Sequence, residues 1–319
     1  MSRRVLIDCD PGVDDAIALL LALASPELDV VAVTTVAGNI PADRAFENGR
    51  RVVALAGRPD LPVHRGCPGP LIGPVMRGKY SGAGGLGGTL LPESDAPVQT
   101  AHSVDVITAQ LESAIAHAAP ITLCTLGPLT NLAVVLARDP SLAQGIAQVV
   151  AMAGAFVAGG NRTPSAEFNV LADPHAAEIV LRCGAPIVLA PLDVTFQALA
   201  TPARVAALRA RKGRITDIAA DLITFYDRND PARYGEPGGP LHDPCVIAWL
   251  LRPDLFGGRP AHVAVELQGS HSYGQTVGDF FGTTGKPPNA TVLGRLDAPG
   301  FFDLLWDRLA SLQPKRSAA

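Results

Sequence analysis

The chain has 319 residues, with 26 Lys plus Arg against 30 Asp plus Glu and a formal net charge of −4, so it lacks the cationic surplus with which nucleic-acid binders neutralise phosphates. With 48% hydrophobic and only 18% charged residues, it has material for a large core and not the composition of a disordered chain. Its five cysteines (Cys9, Cys67, Cys124, Cys183 and Cys245) are scattered singly, which fits reduced thiols in a cytoplasmic protein better than a disulfide framework.

The opening MSRRVLIDCDPG passes from two arginines into acids at once, so it reads as neither a secretory signal nor a transit peptide. Val5 to Ile7 is a β-branched run ending at Asp8, and Val13 to Ala24 reads as a helix stopped by Ser25-Pro26. The apolar stretch Ala16 to Ala24 is too short to span a bilayer, and no membrane partner is expected. Leu28 to Val36 predicts a second strand and Pro41 to Ala56 a helix, with Pro at its start and Gly57 behind it. Further strands are predicted at Ile121 to Thr125, Ile146 to Met152 and Ile187 to Leu189, separated by helical runs at Leu129 to Ala137 and Pro174 to Arg182. This alternation predicts an α/β fold, a mostly parallel sheet with helices on both faces. After Pro202 the pattern turns helical through Ala203 to Arg211, Ile215 to Asp227 and His242 to Leu251. Strands near His262 to Leu267 and Ala290 to Leu296 precede a last helix from Gly300 to Leu312, and residues 313–319 are expected to fray. The segment Cys67 to Gly88 is crowded with Gly and Pro, and reads equally as a surface loop or as a lid over a substrate.

Asp8-Cys9-Asp10-Pro11-Gly12-Val13-Asp14-Asp15 sets four carboxylates at the junction of the first strand and first helix. Ligands of open α/β sheets bind in the crevice at the C-terminal ends of the strands, so these acids stand where chemistry is expected. Asp14 and Asp15 fall in the first helical turn and could each serve as a cap. Four acids in one small volume call for more than capping, and their oxygen-only chemistry suits a hard cation, Ca²⁺ or Mg²⁺. The same D-x-D beginning occurs in phosphatases of haloacid-dehalogenase type, but those want Thr or Val two positions past the second Asp, where this chain has Gly12.

The run DCDPGVDDA resembles the N-terminal signature of the inosine-uridine preferring nucleoside hydrolases. Similar segments follow in the family's order: Gly38-Asn39, Leu126-Gly127-Pro128-Leu129-Thr130-Asn131, Gly159 to Asn169 with Asp173-Pro174, His242-Asp243-Pro244, and Gly274 to Asp279 with Pro288-Asn289. The resemblance covers nearly the whole chain. It implies one Rossmann-like domain over residues 1–312, because a single site draws on residues from 10 to 243. It implies a cytoplasmic enzyme of nucleoside salvage, a homodimer or homotetramer, that hydrolyses purine or pyrimidine ribonucleosides to free base and ribose.

By the same resemblance, Ca²⁺ is held by Asp10, Asp15, Asp243 and the backbone carbonyl of Leu126, and Asp10 is the general base. Asp14, Asn39, Asn161, Glu167 and Asn169 are expected around the ribose hydroxyls, and Met152 and Phe168 against the sugar. His242, whose side chain ordinarily titrates near neutrality, is the expected acid for the departing base, and Tyr234 is expected near that base. Two departures bear on the base. Ser81 to Gly87 reads SGAGGLG where many relatives carry His-Gly-x-Asp-Gly-Leu-Gly, so that both the His and the Asp are missing, and Met152-Ala153-Gly154 stands for Met-Gly-Gly. Purine or pyrimidine preference therefore stays open on the sequence. A Mg²⁺-dependent phosphatase, and a metal and riboside binder with little turnover, are the alternative readings.

Overall fold

The computed structural model describes residues 2–89, 91–225 and 230–312. β1 (Arg3–Cys9) is buried from Val5 onward without alternation, as a parallel strand covered on both faces must be. It is followed in the chain by β2 (Leu28–Thr35), β3 (Val63–His64), β4 (Ile121–Thr125), β5 (Ile146–Ala151) and β6 (Ile187–Leu189). A short ribbon of β7 (Leu199–Ala200) and β8 (Gly239–Pro240) precedes β9 (Phe256–Val265), β10 (Thr276–Asp279) and β11 (Ala290–Leu296). Among the described residues the main sheet has the order β10-β9-β11-β6-β5-β4-β1-β2-β3. β9 runs antiparallel to β11 and β10, while the other neighbouring pairs are parallel.

The strand order reverses at β1, whose neighbours are β2 on one side and β4 on the other. Connections from these strands leave in opposite directions, and a crevice opens between their C-terminal ends. One face is covered by α1 (Val13–Leu23) and α2 (Ala42–Leu55), the other by α3 (Ser103–Ala116) and α4 (Thr130–Arg138). The chain continues through α5 (Phe168–Ala172), α6 (Pro174–Leu181), α7 (Leu192–Thr195), α8 (Pro202–Arg209), α9 (Arg214–Phe225) and α10 (Pro231–Tyr234). It ends in α11 (Pro244–Leu251) and α12 (Ala298–Ser311). α1 is apolar nearly all round and buried up to Ala22, because α9, α11 and α12 enclose its outer side. The core accordingly lies in two layers. Ile17, Leu20, Phe46, Ile223, Ile247 and Phe301 belong to one, and Ile107, Leu111, Leu132 and Val180 to the other.

Several elements differ from the sequence reading: the short β3, β7, β8, α5, α7 and α10 are not in it, and two longer elements differ for a local reason. α3 is absent from it, although Val104, Ile107, Leu111 and Ala114 form its buried stripe; the stripe is narrow, and Val106 and Ile115 outside it blur the period. β9 begins at Phe256 rather than His262 and carries Pro260, which pairs with Thr291. A proline cannot donate to the ladder, and residues 258–260 are exposed, so the local pattern does not read as a strand. The predicted end of the second late helix at Asp227 and the predicted frayed tail at 313–319 lie outside the described residues. The five cysteines are unpaired. Among the described residues no helix is long and apolar enough to cross a membrane.

Candidate active site

The turn after β1 is built by its own acids. Asp15 reaches back from the first turn of α1, its Oδ1 accepting the Asp10 N–H at 3.1 Å and its Oδ2 the Gly12 N–H at 2.9 Å. This satisfies backbone donors that a helix start otherwise leaves open, and it draws the Asp15 carboxylate in beside Asp10. The Asp10 carboxylate in turn accepts the Asn39 N–H through Oδ2. Two loops close over it at glycines: a Cβ at Gly38 would lie 2.1 Å from Asp10 Oδ2, and one at Gly127 2.7 Å from Oδ1. Only residues without a side chain let the ends of β2 and β4 approach a carboxylate this closely. Asp10 Oδ1 is buried and has no hydrogen-bond partner among the described residues.

Oxygens of Asp14, Asp15 and Asp243, all three buried, fall within 4.8 Å of one another. Of the expected metal set, Asp15 and Asp243 are thus in the triad, while Asp10 lies beside Asp15 with Asn39 on its other oxygen. Asp14, expected at the ribose, is the triad's third member. The Leu126 carbonyl lines the same cleft and accepts Asn169 Nδ2 at 2.7 Å. Burial, then the Asp15 charge, pushes Asp10 well above the usual carboxylate range, and burial, then Asp14, does the same to Asp243. Burial, then the Asp14 charge, lifts Asp15 to about 7. Beneath them Asp8 is also lifted to about 7 by burial, against hydrogen bonds from Thr34 Oγ1 at 2.7 Å and Asn131 Nδ2 at 2.8 Å.

The cleft is lined by Asp14, Asn39, Leu126, Met152, Asn161, Glu167, Phe168, Asn169, His242 and Asp243. Glu167 caps α5, its carboxylate accepting the N–H groups of Asn169 (2.7 Å), Val170 (3.1 Å) and Gly154 (3.1 Å). Asn161 Oδ1 accepts the Phe168 N–H at 2.9 Å. The wall is therefore fixed by side chains that also face the cleft, and local capping and substrate contact are compatible roles. The β7–β8 ribbon, with the Leu241 N–H donating to Ala198 O at 2.9 Å, carries His242 to Thr195, where Nδ1 and Oγ1 are 2.7 Å apart. Phe196 packs edge-on to the His242 ring, with centroids 5.8 Å apart. Tyr234 packs on the same Phe196, with ring centroids 5.3 Å apart.

Thr195 and Phe196 were not singled out in the sequence. The available signal was a hydroxyl residue just past the C-terminal end of β6, where ligand groups gather. In the Gly-rich segment, Ser81 is buried and Asn48 Nδ2 bridges Gly84 O (2.9 Å) and Pro11 O (3.0 Å). A Cβ at Gly12 would meet Ser81 Oγ at 2.7 Å, so this segment seats against the Asp10–Gly12 turn.

An oxygen-only triad beside an orphaned buried carboxylate oxygen fits a hard divalent cation, whose charge would offset the repulsion among the acids. A measurable linkage follows. Without a cation, Asp15 holds its proton in the folded protein up to about pH 7 but releases it when unfolded near the ordinary 3.8. Between these values the native state binds more protons, so stability falls as pH rises through that window. The chelated protein is expected to melt lower at pH 8 than at pH 5.5. Added Ca²⁺ should raise Tm more at pH 8, with a stabilisation of about 2.7 kcal/mol at one hundred times Kd. Calorimetry showing the same Ca²⁺ effect at both pH values would remove these acids from the binding site.

Over residues 5–303 the sequence matches the family described as inosine-uridine preferring nucleoside hydrolase. It is 44% identical over 308 residues to a pyrimidine-specific ribonucleoside hydrolase of Shewanella woodyi, covering 96% of this chain and 97% of the relative. Among solved structures, a plant nucleoside hydrolase superposes with a TM-score of 0.89 at 32% identity, over 97% of this chain and 99% of that one. A purine-preferring ribonucleoside hydrolase from Gardnerella vaginalis superposes with a TM-score of 0.88 at 27% identity, again over 97% and 99%.

Proposed function

The chain belongs to the inosine-uridine preferring nucleoside hydrolase family and is an N-glycosyl hydrolase, and from that premise we propose that it is a Ca²⁺-dependent hydrolase of pyrimidine ribonucleosides. The observation that carries the reading is one acidic triad, two of whose members, Asp14 and Asp243, line a cleft with His242, while Asp15 draws the orphaned Asp10 oxygen in beside it. Membership of the family sets aside the phosphatase reading. The pyrimidine preference is supported by relatives such as the Shewanella woodyi enzyme.

Breaking the glycosidic bond builds positive charge on the ribose, and the acids around the cleft favour that charge. A bound Ca²⁺ would supply an oriented, more acidic water and an anchor for the ribose diol. Asp10, Asp15, Asp243 and the Leu126 carbonyl would hold it, with Asp14 within reach of both ion and ribose. Asp10 accepts the proton of the attacking water. Asn39, Asn161, Glu167 and Asn169 offer donors and acceptors on short reaches to the ribose hydroxyls, while Met152 and Phe168 exclude water from the sugar's apolar side. His242 donates a proton to the departing base, and Thr195 holds Nδ1 so that the transfer falls to Nε2. One continuous domain over residues 1–312, soluble in the cytoplasm and assembled as a dimer or tetramer, is the setting we propose.

A nucleoside panel read by release of reducing sugar tests this. Uridine and cytidine are expected to exceed inosine in kcat/KM by about tenfold or more, the equivalent of about 1.4 kcal/mol. An inosine preference would overturn the base assignment, and no release from any nucleoside, with riboside binding retained, would favour a binder. Sugar choice is a second expected result. A missing 2′-hydroxyl leaves a buried acceptor unpaired at a cost of about 1–3 kcal/mol, so 2′-deoxyuridine should fall behind uridine by roughly 10- to 100-fold. Equal kcat/KM for the two would mean that the acids do not read that hydroxyl.

A further inference from the structure

Away from the cleft, the loop after β5 and the antiparallel strands β9 and β11 enclose a groove of about 580 Å³, within the size range of small-molecule sites. Phe156, Phe280, Val292 and Leu293 give it apolar walls, and Arg259 and Arg295 stand over a floor opened by Gly257, Gly258 and Gly294. Arg259 stacks on Phe280 with its guanidinium 4.1 Å from the ring centroid and lies 5.6 Å from that of Phe281. Stacking occupies the face of a guanidinium and leaves its in-plane N–H groups available, already ordered for an oxyanion. Among the described residues neither arginine makes a side-chain hydrogen bond or ion pair. The one acid in the groove, Asp193, has its carboxylate engaged by the N–H groups of Phe156 (2.8 Å), Val157 (2.7 Å) and Ala158 (3.1 Å). Val157 and Phe281 flank the groove 90% and 86% exposed.

We propose that this groove is a second ligand site, for a small oxyanion joined to a planar apolar ring, held by Arg259 and Arg295 with the ring against Phe156 and Phe280. The arginines define the charge and the aromatic walls define the body, and Arg259, stacked on Phe280, is ordered before the ligand arrives, which lowers the cost of binding. The groove and the cleft also draw on the same loop after β5. Phe156 to Ala158 hang on Asp193, while the same loop is tied at Gly154 to Glu167 and at Asn161 to Phe168. A ligand that stiffens this loop is therefore expected to act on substrate affinity.

Calorimetry on the metal-loaded enzyme with benzoate, uridine 5′-monophosphate, inorganic phosphate and benzyl alcohol tests the site, the first two separating carboxylate from phosphate monoester. At least one ring-bearing anion is expected to bind at least tenfold more tightly than either inorganic phosphate or benzyl alcohol. That affinity should fall tenfold in R259Q/R295Q, whose ligand-free kcat/KM stays within twofold of wild type. Saturating the groove should change KM for the nucleoside at least twofold in wild type and not in the double variant. Equal affinities in both proteins would overturn the site, and binding without any change in KM would remove the effector role. A smaller assembly of R259Q/R295Q by light scattering would assign the arginines to a contact between copies and overturn the proposal.

Discussion

Asp10→Ala is expected to lower kcat on uridine by more than about 10⁴-fold, beyond the roughly 10²- to 10⁴-fold that general acid–base catalysis alone supplies. The excess comes from the second role of this carboxylate. Its Oδ2 fixes the Asn39 backbone while Oδ1 is buried with no partner among the described residues, so on the proposed function one substitution would remove the proton acceptor, an oxygen offered to the cation and the anchor of Asn39. A folded but inert variant is distinguishable from a damaged one by its stability. Asp10 lies against Asp15 and is pushed well above the usual carboxylate range by burial and that neighbour. Removing it relieves repulsion, and the chelated Asp10→Asn protein should melt no lower than chelated wild type while Ca²⁺ stabilises it less. A loss of only a few fold in kcat, with the Ca²⁺ response intact, would show that Asp10 carries neither role.

His242→Ala is expected to lower kcat on natural nucleosides by roughly 10²- to 10⁴-fold with KM little changed, since proton donation is made mainly in the transition state. The geometry behind this is the 2.7 Å contact of Nδ1 with Thr195 and the edge-on Phe196 ring, which hold the imidazole at the cleft. A nitrophenyl riboside, whose phenolate leaves without a proton, should be hydrolysed almost normally by the same variant. Thr195→Val should give a smaller loss of the same kind, because the ring keeps its packing and loses its orientation. Equal losses on the two substrates would instead place the damage at Asp243 and the cation.

What the sequence determined by itself was whatever local pattern and motif encode. Largely apolar runs specified β4 and β6 closely, because strands buried on both faces need no alternation, whereas β1 extends past the predicted Val5 to Ile7 at both ends. DCDPGVDDA, LGPLTN and HDP marked Asp14, Leu126, His242 and Asp243 of the cleft lining, since their Gly, Pro and acid spacing is required by turns at strand ends. Tertiary structure decided what depends on residues far apart in the chain. It showed that Asp14 joins Asp15 and Asp243 within 4.8 Å, that Gly38 and Gly127 must be glycine to admit the Asp10 carboxylate, and that Thr195 holds His242. It also placed Tyr234 on Phe196, the ring that packs against His242. β9 with its Pro260 is a strand because β10 and β11 flank it. Such facts are invisible in local sequence because the energies that create them, close packing and the pairing of buried polar groups, act between elements and arise only once the chain has folded.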